Sequence, residues 1–320
     1  MRSEVKKPLV SIRYVAAVLG VPPQKLLEVA RDADRLYAPF ILRQERGGKT
    51  KARVIDNPVG PMKFIQGRIK TRLLDILDLP VFITGGVKGR STQSNASAHV
   101  GRPEVVSLDL KDFFPSITND AVARMWCEEF GASRSVAWLL TRLTTYKGHL
   151  PQGSPVSNAV ANLVALPFFA RAHELCGGRG SRLTAYVDDL SISGVRTRDH
   201  INDIAKAASR RGLRVARRKT SVMPAHTRQH VTGHTVNRKL SNGRQRLDDA
   251  WRRLQAADST SGEPATLQSL RGLTIYLATT CPEQARRLTP RLRQLEERHK
   301  RRKAENREEK SHGPSVGPRN

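Results

Sequence analysis

Cysteines, long apolar runs and acidic residues are scarce in this sequence, and each shortage narrows the class of protein. The three cysteines, Cys127, Cys176 and Cys281, lie far apart and form no CxxC pair, so a disulfide framework and a zinc ribbon are excluded. The longest apolar run, residues 159–170, is short and interrupted by a polar residue and a proline, so no membrane span is predicted. Because the first residues also lack the apolar core of a secretion signal, we expect a cytoplasmic protein.

The shortage of acidic residues leaves the chain strongly basic. It has 56 Lys and Arg against 29 Asp and Glu, which gives a net charge of +27 and a sequence pI near 11.0. This excess of positive charge favours a polyanionic partner, and nucleic acid is the leading candidate. The 320 residues are 38% hydrophobic, which is enough to bury a sizeable core.

The distribution of apolar residues divides the chain into four predicted segments. Residues 1–36 predict an N-terminal helical segment of two short helices around a turn. Residues 37–246 mix short strands and helices without a regular repeat, which predicts an α+β domain with helices packed on a sheet. Leucines recur among Arg and Lys in residues 247–310, which indicates a basic helical module. Residues 311–320 are rich in Pro and Gly and predict a disordered tail.

Acidic residues interrupt two of the predicted strands, where an unpaired carboxylate is costly. Asp109 lies in an apolar stretch, and Asp188-Asp189 joins two β-prone segments, which predicts a hairpin with both carboxylates at its tip. A hairpin of this kind beside the Asp109 strand gathers three negative charges. Hard oxygen ligands favour Mg²⁺, and two such ions about 4 Å apart suit displacement at phosphorus. An ordinary turn is the alternative interpretation of Asp188-Asp189, because Asp is common in turns.

Two glycine-containing segments add to this pattern. Gly47-Gly48 lies between two β-prone stretches and predicts a hairpin turn. Gln152-Gly153 precedes a helix that we expect to begin near Ser157, and the glycine allows the backbone to approach a flat ligand closely. A plain helix entrance is the alternative interpretation of this second segment.

Together these segments resemble the reverse transcriptases. Asp109 with Phe114 is similar to the first palm motif, the PQG triplet at residues 151–153 to the next, and YVDD at residues 186–189 to the YxDD box, in the order and spacing of that family. The resemblance implies a right-hand polymerase fold with fingers, palm and thumb. It also implies RNA-directed DNA polymerase activity on deoxynucleoside triphosphates.

The resemblance implies roles for individual residues as well. Asp109, Asp188 and Asp189 would be catalytic and hold two Mg²⁺ ions. Phe114 would exclude a ribose 2′-hydroxyl. For the two basic residues that the family implies, Arg53 and Lys219, the alternative interpretation is a solvated cation on the protein surface. The nucleotide-binding residues implied by the family are Arg53 at the triphosphate, Lys219 near the departing pyrophosphate, and Phe114, Gln152 and Gly153 around the incoming nucleotide.

Two further motifs are similar to those of bacterial retron reverse transcriptases. NASAH at residues 95–99 resembles the NAxxH signature, and VTG at residues 231–233 matches a triplet beyond the YxDD box. For His99 the alternative interpretation is a histidine satisfied by local hydrogen bonds. For the VTG triplet it is a strand end with a glycine turn. The RNA-binding residues that this resemblance implies are Asn95, His99, Val231, Thr232 and Gly233.

A retron enzyme would use a structured non-coding RNA as template and primer and make branched, RNA-linked single-stranded DNA. The resemblance further implies antiphage defence and an accessory effector protein. One alternative is another bacterial reverse transcriptase, of the group II intron or diversity-generating type, although we expect no maturase segment after the thumb. The other is a non-catalytic RNA-binding protein on a polymerase scaffold, against which the three acidic residues argue.

Overall fold

The structure is a computed structural model that describes residues 7–46, 49–259 and 264–311. The predicted turn at Gly47-Gly48 and residues 312–320 of the predicted tail lie outside the described residues. The chain divides into two compact units, Met1–Thr232 and Gly233–Asn320. The segment boundaries drawn from the sequence stay predictions.

Two short helices open the first unit, as the sequence predicts. Helix α1 (Ile12–Leu19) begins where the Ser11 hydroxyl accepts a hydrogen bond from the Tyr14 amide, at 3.2 Å. It ends at Gly20, whose φ of 64° lies in the left-handed region that glycine adopts without strain. Helix α2 (Pro23–Arg31) starts with a proline, which suits the first helical position. Their apolar faces are buried in the core of the first unit.

A long antiparallel hairpin follows these helices. Strands β1 (Tyr37–Arg46) and β2 (Lys49–Pro58) pair from Tyr37 opposite Pro58 to Arg46 opposite Lys49. Its apolar residues face solvent in part, with Phe40 exposed by 50% and Ile41 by 60%. The hairpin therefore presents a two-stranded ribbon with uncovered apolar side chains.

A four-stranded antiparallel sheet forms the centre of the first unit. Its order is β4 (Arg182–Tyr186), β5 (Asp189–Gly194), β3 (Glu104–Asp109) and β6 (Ser221–Pro224). Buried valine and leucine side chains of β3 join the main hydrophobic core. Because helices pack on this sheet, the predicted α+β class is confirmed.

The remaining elements of the first unit are mostly helices. The longest, α8 (Ser157–Gly177), is buried on most of its faces, and its internal Pro167 is accommodated within 21 helical residues. The elements are α3 (Gly60–Ile69), a π-helical turn (Lys70–Leu74), α4 (Thr92–Ser97), α5 (Phe113–Ser116), α6 (Asn119–Phe130), α7 (Arg134–Thr144), α8 (Ser157–Gly177), α9 (Ile201–Ser209), strand β7 (His230–Val231), and 3₁₀ turns at Ala33–Arg35, Thr197–His200 and Arg217–Lys219.

The second unit is largely helical and has its own core. Strands β8 (His234–Thr235) and β9 (Ser241–Asn242) pair antiparallel ahead of the helices. Leucines and alanines on the inner faces of the helices form a separate apolar cluster. None of the helices in the described ranges of either unit is long and apolar enough to cross a membrane. The helices of this unit are α10 (Arg244–Ser259), α11 (Pro264–Thr280), α12 (Pro282–Arg286) and α13 (Thr289–Ser311).

Candidate active site

The sheet brings the three predicted catalytic carboxylates to one end. Asp109, the last residue of β3, lies directly opposite Asp189, the first residue of β5. Side chains directly opposite each other on antiparallel strands project from the same face, with Cβ atoms about 5 Å apart. Asp188 occupies the turn that leads into β5. These three residues are called the carboxylate site below.

The hairpin differs from its prediction by one residue. Asp189 pairs with Tyr186, so the two-residue turn consists of Val187 and Asp188, and Asp189 belongs to the strand. Val187 has a φ of 60°, a left-handed conformation that is strained for a β-branched residue. The Asp188 carbonyl accepts a hydrogen bond from the Leu110 amide at 2.9 Å, which fixes the turn to the end of β3.

The charges of the carboxylate site act on one another. Burial raises the pKa of Asp188, and the neighbouring Asp109 carboxylate raises it further, while Lys219 and Arg53 act in the opposite direction. Asp188 is therefore a partly buried acid that pays a desolvation penalty when ionised. A cation bound beside it would relieve that penalty.

Lys219 contacts the carboxylate site directly. Its ammonium donates to Asp109 Oδ2 at 2.6 Å. The segment before Lys219 is tied to the end of β3, because the Ala216 amide donates to the Asp109 carbonyl and the Lys111 amide to the Arg214 carbonyl, both at 2.7 Å. The structure thus places Lys219 beside Asp109. This placement favours a role in the carboxylate site over the alternative of a solvated surface cation.

The donor set suits Mg²⁺ better than a metal that needs a complete protein cage. Within the described part of the chain, no group of three His, Cys, Asp or Glu side chains is arranged to hold a metal ion unaided. Mg²⁺ is commonly bound through one or two carboxylates, with water and substrate phosphates completing its octahedron. The paired carboxylates of Asp109 and Asp189 and the raised pKa of Asp188 fit such an ion.

The PQG loop docks on the second strand of the hairpin. The Asp56 amide donates to the Gln152 carbonyl at 2.7 Å, and the Gln152 amide donates to Asp56 Oδ2 at 3.3 Å. Gly153 has a φ of 124°, and a Cβ at this position would lie 2.6 Å from Ile55 Cγ2. Glycine is needed here both for its backbone conformation and for the close approach to β2.

Gln66, which no motif in the sequence marks, anchors the residue that follows this loop. Its amide nitrogen donates to the Tyr37 hydroxyl at 2.8 Å and to the Leu143 carbonyl at 2.9 Å. Its amide oxygen accepts from the Ser154 hydroxyl at 2.8 Å. The available signal was its helical spacing, because Gln66 lies four residues after Met62, on the buried face of α3.

A cavity of 350 Å³ lies beside the PQG loop. His149 Nε2 is 3.8 Å from Asp56 Oδ2 at this cavity. The hairpin contributes three lining residues, and the chain around the PQG loop contributes most of the others. The lining residues are Pro39, Val54, Asp56, Pro115, Tyr146, Lys147, His149 and Gln152.

Arg53 and Phe114 occupy different surroundings. Arg53 is exposed on β2 opposite Leu42, and its charge lowers the pKa of Asp188 against the effect of burial. The hairpin therefore brings a guanidinium within electrostatic range of the carboxylate site. Phe114 lies half-buried in α5, just after β3, with its ring centroid 5.6 Å from that of Phe113.

His99 is fully buried rather than available to RNA. Its ring nitrogens lie 2.7 Å from the Ser193 hydroxyl and 2.8 Å from the Thr184 hydroxyl, and these three residues are called the hydroxyl cluster below. Burial, together with the Arg182 and Arg102 cations, lowers the pKa of His99 to about 4. With 0% of its surface exposed, the side chain offers no surface for direct contact with RNA. The RNA-binding role expected from the motif stays a prediction, and this burial argues against it.

Asn95 contacts Thr232 of the VTG triplet within the first unit. Asn95 is also 0% exposed, and its side chain donates to the Thr232 hydroxyl at 3.3 Å, so the same burial argues against direct RNA contact by Asn95. The Thr232 hydroxyl donates to the Thr92 carbonyl at 3.0 Å. Val231 is 2% exposed, while Thr232 is half-buried and Gly233 exposed. Only Thr232 and Gly233 of the five expected residues present surface that RNA could contact.

Comparisons with known proteins agree on one family. The model described as "Reverse transcriptase (RNA-dependent DNA polymerase)" matches residues 43–236, more than half of the chain. The chain is 28% identical over 274 residues to the retron Ec86 reverse transcriptase of Escherichia coli, covering 83% of each protein.

Two Myxococcus xanthus proteins show comparable similarity. The retron Mx65 reverse transcriptase is 32% identical over 302 residues, covering 87% of this chain and 70% of the relative. The retron Mx162 reverse transcriptase is 29% identical over 329 residues, covering 89% of this chain and 67% of the relative. Both alignments extend well beyond the residues that the family model matches.

Proposed function

The chain belongs to the reverse transcriptases and is a retron RNA-directed DNA polymerase with a right-hand polymerase fold, and from this premise we propose that Asp109, Asp188 and Asp189 are its catalytic residues. The observation that carries the proposal is the register of β3 and β5, which sets Asp109 opposite Asp189, with Asp188 in the adjoining turn. This arrangement supports a shared role for the three carboxylates. An ordinary Asp-containing turn would not have a third acidic residue, Asp109, directly opposite it on a neighbouring strand.

The reaction adds deoxynucleotides to a DNA strand under the direction of an RNA template. Reverse transcriptases use divalent metal ions, and we propose that this chain uses two Mg²⁺ ions held by the carboxylate site. When bound, such ions favour in-line displacement at phosphorus. The carboxylates of Asp109 and Asp189 and the partly buried Asp188 supply the hard oxygen donors for this purpose.

The basic residues beside the carboxylate site suit the polyphosphate of the substrate. We assign Arg53 to the triphosphate, because a guanidinium forms paired hydrogen bonds with phosphate oxygens. Lys219 is assigned to the departing pyrophosphate, since its ammonium already lies at the edge of the site, 2.6 Å from Asp109. Both cations also reduce the repulsion among the acids.

The nucleoside part of the substrate is assigned to the PQG loop and Phe114. The backbone carbonyl and amide of Gln152 bond the amide and the carboxylate of Asp56, so the Gln152 side chain extends from a fixed loop. Gly153 lets this loop pack against β2, because a Cβ at this position would meet Ile55, and we assign it to the same nucleotide site. Phe114 supplies the bulk that would reject a ribose 2′-hydroxyl.

The RNA partner is the remaining part of the proposal. The net charge of +27 supports binding to a structured non-coding RNA that serves as template and primer. We assign direct contacts to Thr232 and Gly233, because Asn95, His99 and Val231 are buried. Branched, RNA-linked DNA, an accessory effector, antiphage defence and a cytoplasmic location complete the proposal, and they are supported by the family alone.

The test is RNA-templated DNA synthesis by the purified chain and its Asp188→Asn variant. The variant keeps the size of the side chain and removes its charge, so incorporation should fall at least about 10³-fold, equivalent to about 4 kcal/mol, while RNA affinity stays within about threefold. Asp78→Asn is the matched control, because the Asp78 side chain is 91% exposed. Near-normal incorporation by Asp188→Asn would contradict the assignment.

A further inference from the structure

A segment outside the recognised motifs packs against the turn that carries Asp188. The amides of Thr84 and Gly85 donate to the Ala185 carbonyl at 2.7 and 3.3 Å, and the Ala185 amide donates to the Phe82 carbonyl at 2.8 Å. These bonds cover the outer edge of β4 just before the hairpin turns. We call residues 84–86 the support segment.

Gly85 makes the closest approach between the support segment and the turn. A Cβ at Gly85 would lie 2.3 Å from the Val187 backbone nitrogen and 2.7 Å from the Tyr186 carbonyl carbon. Real Cβ atoms do not approach backbone this closely, and backbone cannot rotate away as a flexible side chain can. Gly85 does not have a left-handed φ. The position therefore requires glycine because of space and not because of conformation.

The support segment also contacts helix α8. Asn162 of α8, which is fully buried, donates to the Gly85 carbonyl at 2.8 Å. A Cβ at Gly86 would lie 2.5 Å from Asn158 Cβ of the same helix. The segment is thus fixed between α8 and the turn, so extra volume at Gly85 would displace the turn rather than the segment.

The support segment is also linked to the motif helix α4. The Thr84 hydroxyl donates to Asn95 Oδ1 at 2.7 Å, and Asn95 donates to Thr232 at 3.3 Å. Arg90 restrains the approach to the segment by donating to three backbone carbonyls, among them that of Ile83 at 2.5 Å. Each of these hydrogen bonds limits how far the support segment can shift away from the turn.

We propose that Gly85 is a positioning residue for catalysis, which holds Val187 and Asp188 where Asp188 reaches the same metal ions as Asp109. The proposal rests on the assignment of the carboxylate site above. Val187 has a strained φ of 60°. The Gly85 backbone packs against this turn, so the turn has no room to move to a less strained conformation.

Gly85→Ala tests this proposal, with Gly67→Ala as the matched control. No heavy atom of the described chain lies within 4 Å of a Cβ at Gly67 apart from its own helix backbone and chain neighbours, so that variant should retain wild-type kinetics. Gly85→Ala should lower kcat about 10- to 100-fold and raise the Mg²⁺ concentration for half-maximal activity at least about fivefold, while the KM for deoxynucleotide changes less than about threefold. A merely structural defect would lower the active fraction and leave the Mg²⁺ requirement unchanged.

Thr84→Val provides a second test if Gly85→Ala does not fold. It keeps the shape of the side chain and removes the hydroxyl that bonds Asn95, so the Mg²⁺ requirement should rise about twofold or more. Wild-type Mg²⁺ dependence in Gly85→Ala, or in Thr84→Val where the first variant is insoluble, would overturn the proposal. If the wild-type chain synthesises DNA and Asp188→Asn does not, such a result would refute the role of Gly85 and leave the proposed function intact.

Discussion

The carboxylate site and the hydroxyl cluster share strand β5, and they treat buried polar groups in opposite ways. In the hydroxyl cluster, both nitrogens of His99 are bonded to hydroxyls of β4 and β5, and burial favours its neutral form. In the carboxylate site, acids face one another and burial raises the pKa of Asp188. Buried polar groups that satisfy one another stabilise the fold. Like charges gathered at the end of a sheet call for an external cation.

The largest expected contrast comes from removing one group from the carboxylate site. Asp109→Asn should lower the rate of DNA synthesis by about 10³-fold or more, because it removes the charge that pairs with Lys219 and that we propose binds the ions. Its midpoint of thermal unfolding should stay within about 3 °C of wild type, because its pair with Lys219 is partly exposed. Primer extension and calorimetry measure the two quantities. Unfolding of this variant at 25 °C would contradict the comparison.

The converse substitution is His99→Leu in the hydroxyl cluster. It leaves the buried hydroxyls of Thr184 and Ser193 without their partner, so the free energy of unfolding should fall by about 2–5 kcal/mol. The rate per folded molecule should change less than about threefold, since His99 contacts neither substrate nor RNA in this account. Chemical denaturation and active-site titration separate these effects. A loss of RNA affinity in the folded fraction would support His99 as an RNA-binding residue and contradict this comparison.

The pH dependence of stability gives an intermediate effect. The pKa of His99 is lowered from 6.5 to about 4 in the folded protein, so the unfolded chain binds more protons between those values. The part of the folding stability that depends on neutral His99 is fully present above pH 6.5. It falls as the pH drops, by on the order of 3 kcal/mol at pH 4. His99→Gln should remove this part of the acid sensitivity, measured as the wild-type minus variant difference in unfolding free energy. An identical pH dependence in both proteins would contradict the burial of a neutral His99.

The smallest effect is a gain of stability at the carboxylate site. Because the pKa of Asp188 is raised in the folded state, its ionisation destabilises the metal-free protein as the pH rises above the ordinary carboxyl range. Asp188→Asn should therefore raise the melting temperature by about 1–3 °C at pH 7 without divalent ions, and the gain should vanish at low pH. Adding Mg²⁺ should stabilise wild type more than the variant. A lower melting temperature for the variant at pH 7 would contradict this account.

The sequence predicts the residues of the carboxylate site better than it predicts the residues that hold them in place. Asp109 and Asp188-Asp189 interrupt β-prone stretches, and this local conflict is visible in the sequence. The exact turn is not visible, because pairing of Tyr186 with Asp189 depends on the sheet register. The α+β class follows from the alternation of elements along the chain.

Burial and close approach explain what the sequence does not reveal. His99 and Asn95 belong to a motif that suggests contact with RNA, and only the packing of β4, β5 and α4 shows that both are enclosed. Gly85 carries no local signal, because its requirement arises from backbone about a hundred residues later in the chain, at Val187. Such positions become apparent only when distant segments are seen in contact.

The most direct test of the central claim is to locate the metal in a crystal of the chain with template, primer, deoxynucleotide and Mn²⁺. Anomalous scattering identifies Mn²⁺ independently of the protein atoms, and Mn²⁺ accepts the same oxygen ligands as Mg²⁺. The account predicts anomalous peaks bonded to carboxylate oxygens of Asp109 and Asp188 beside the triphosphate. A bound nucleotide with its metal held elsewhere, and with no peak at Asp109, would contradict it.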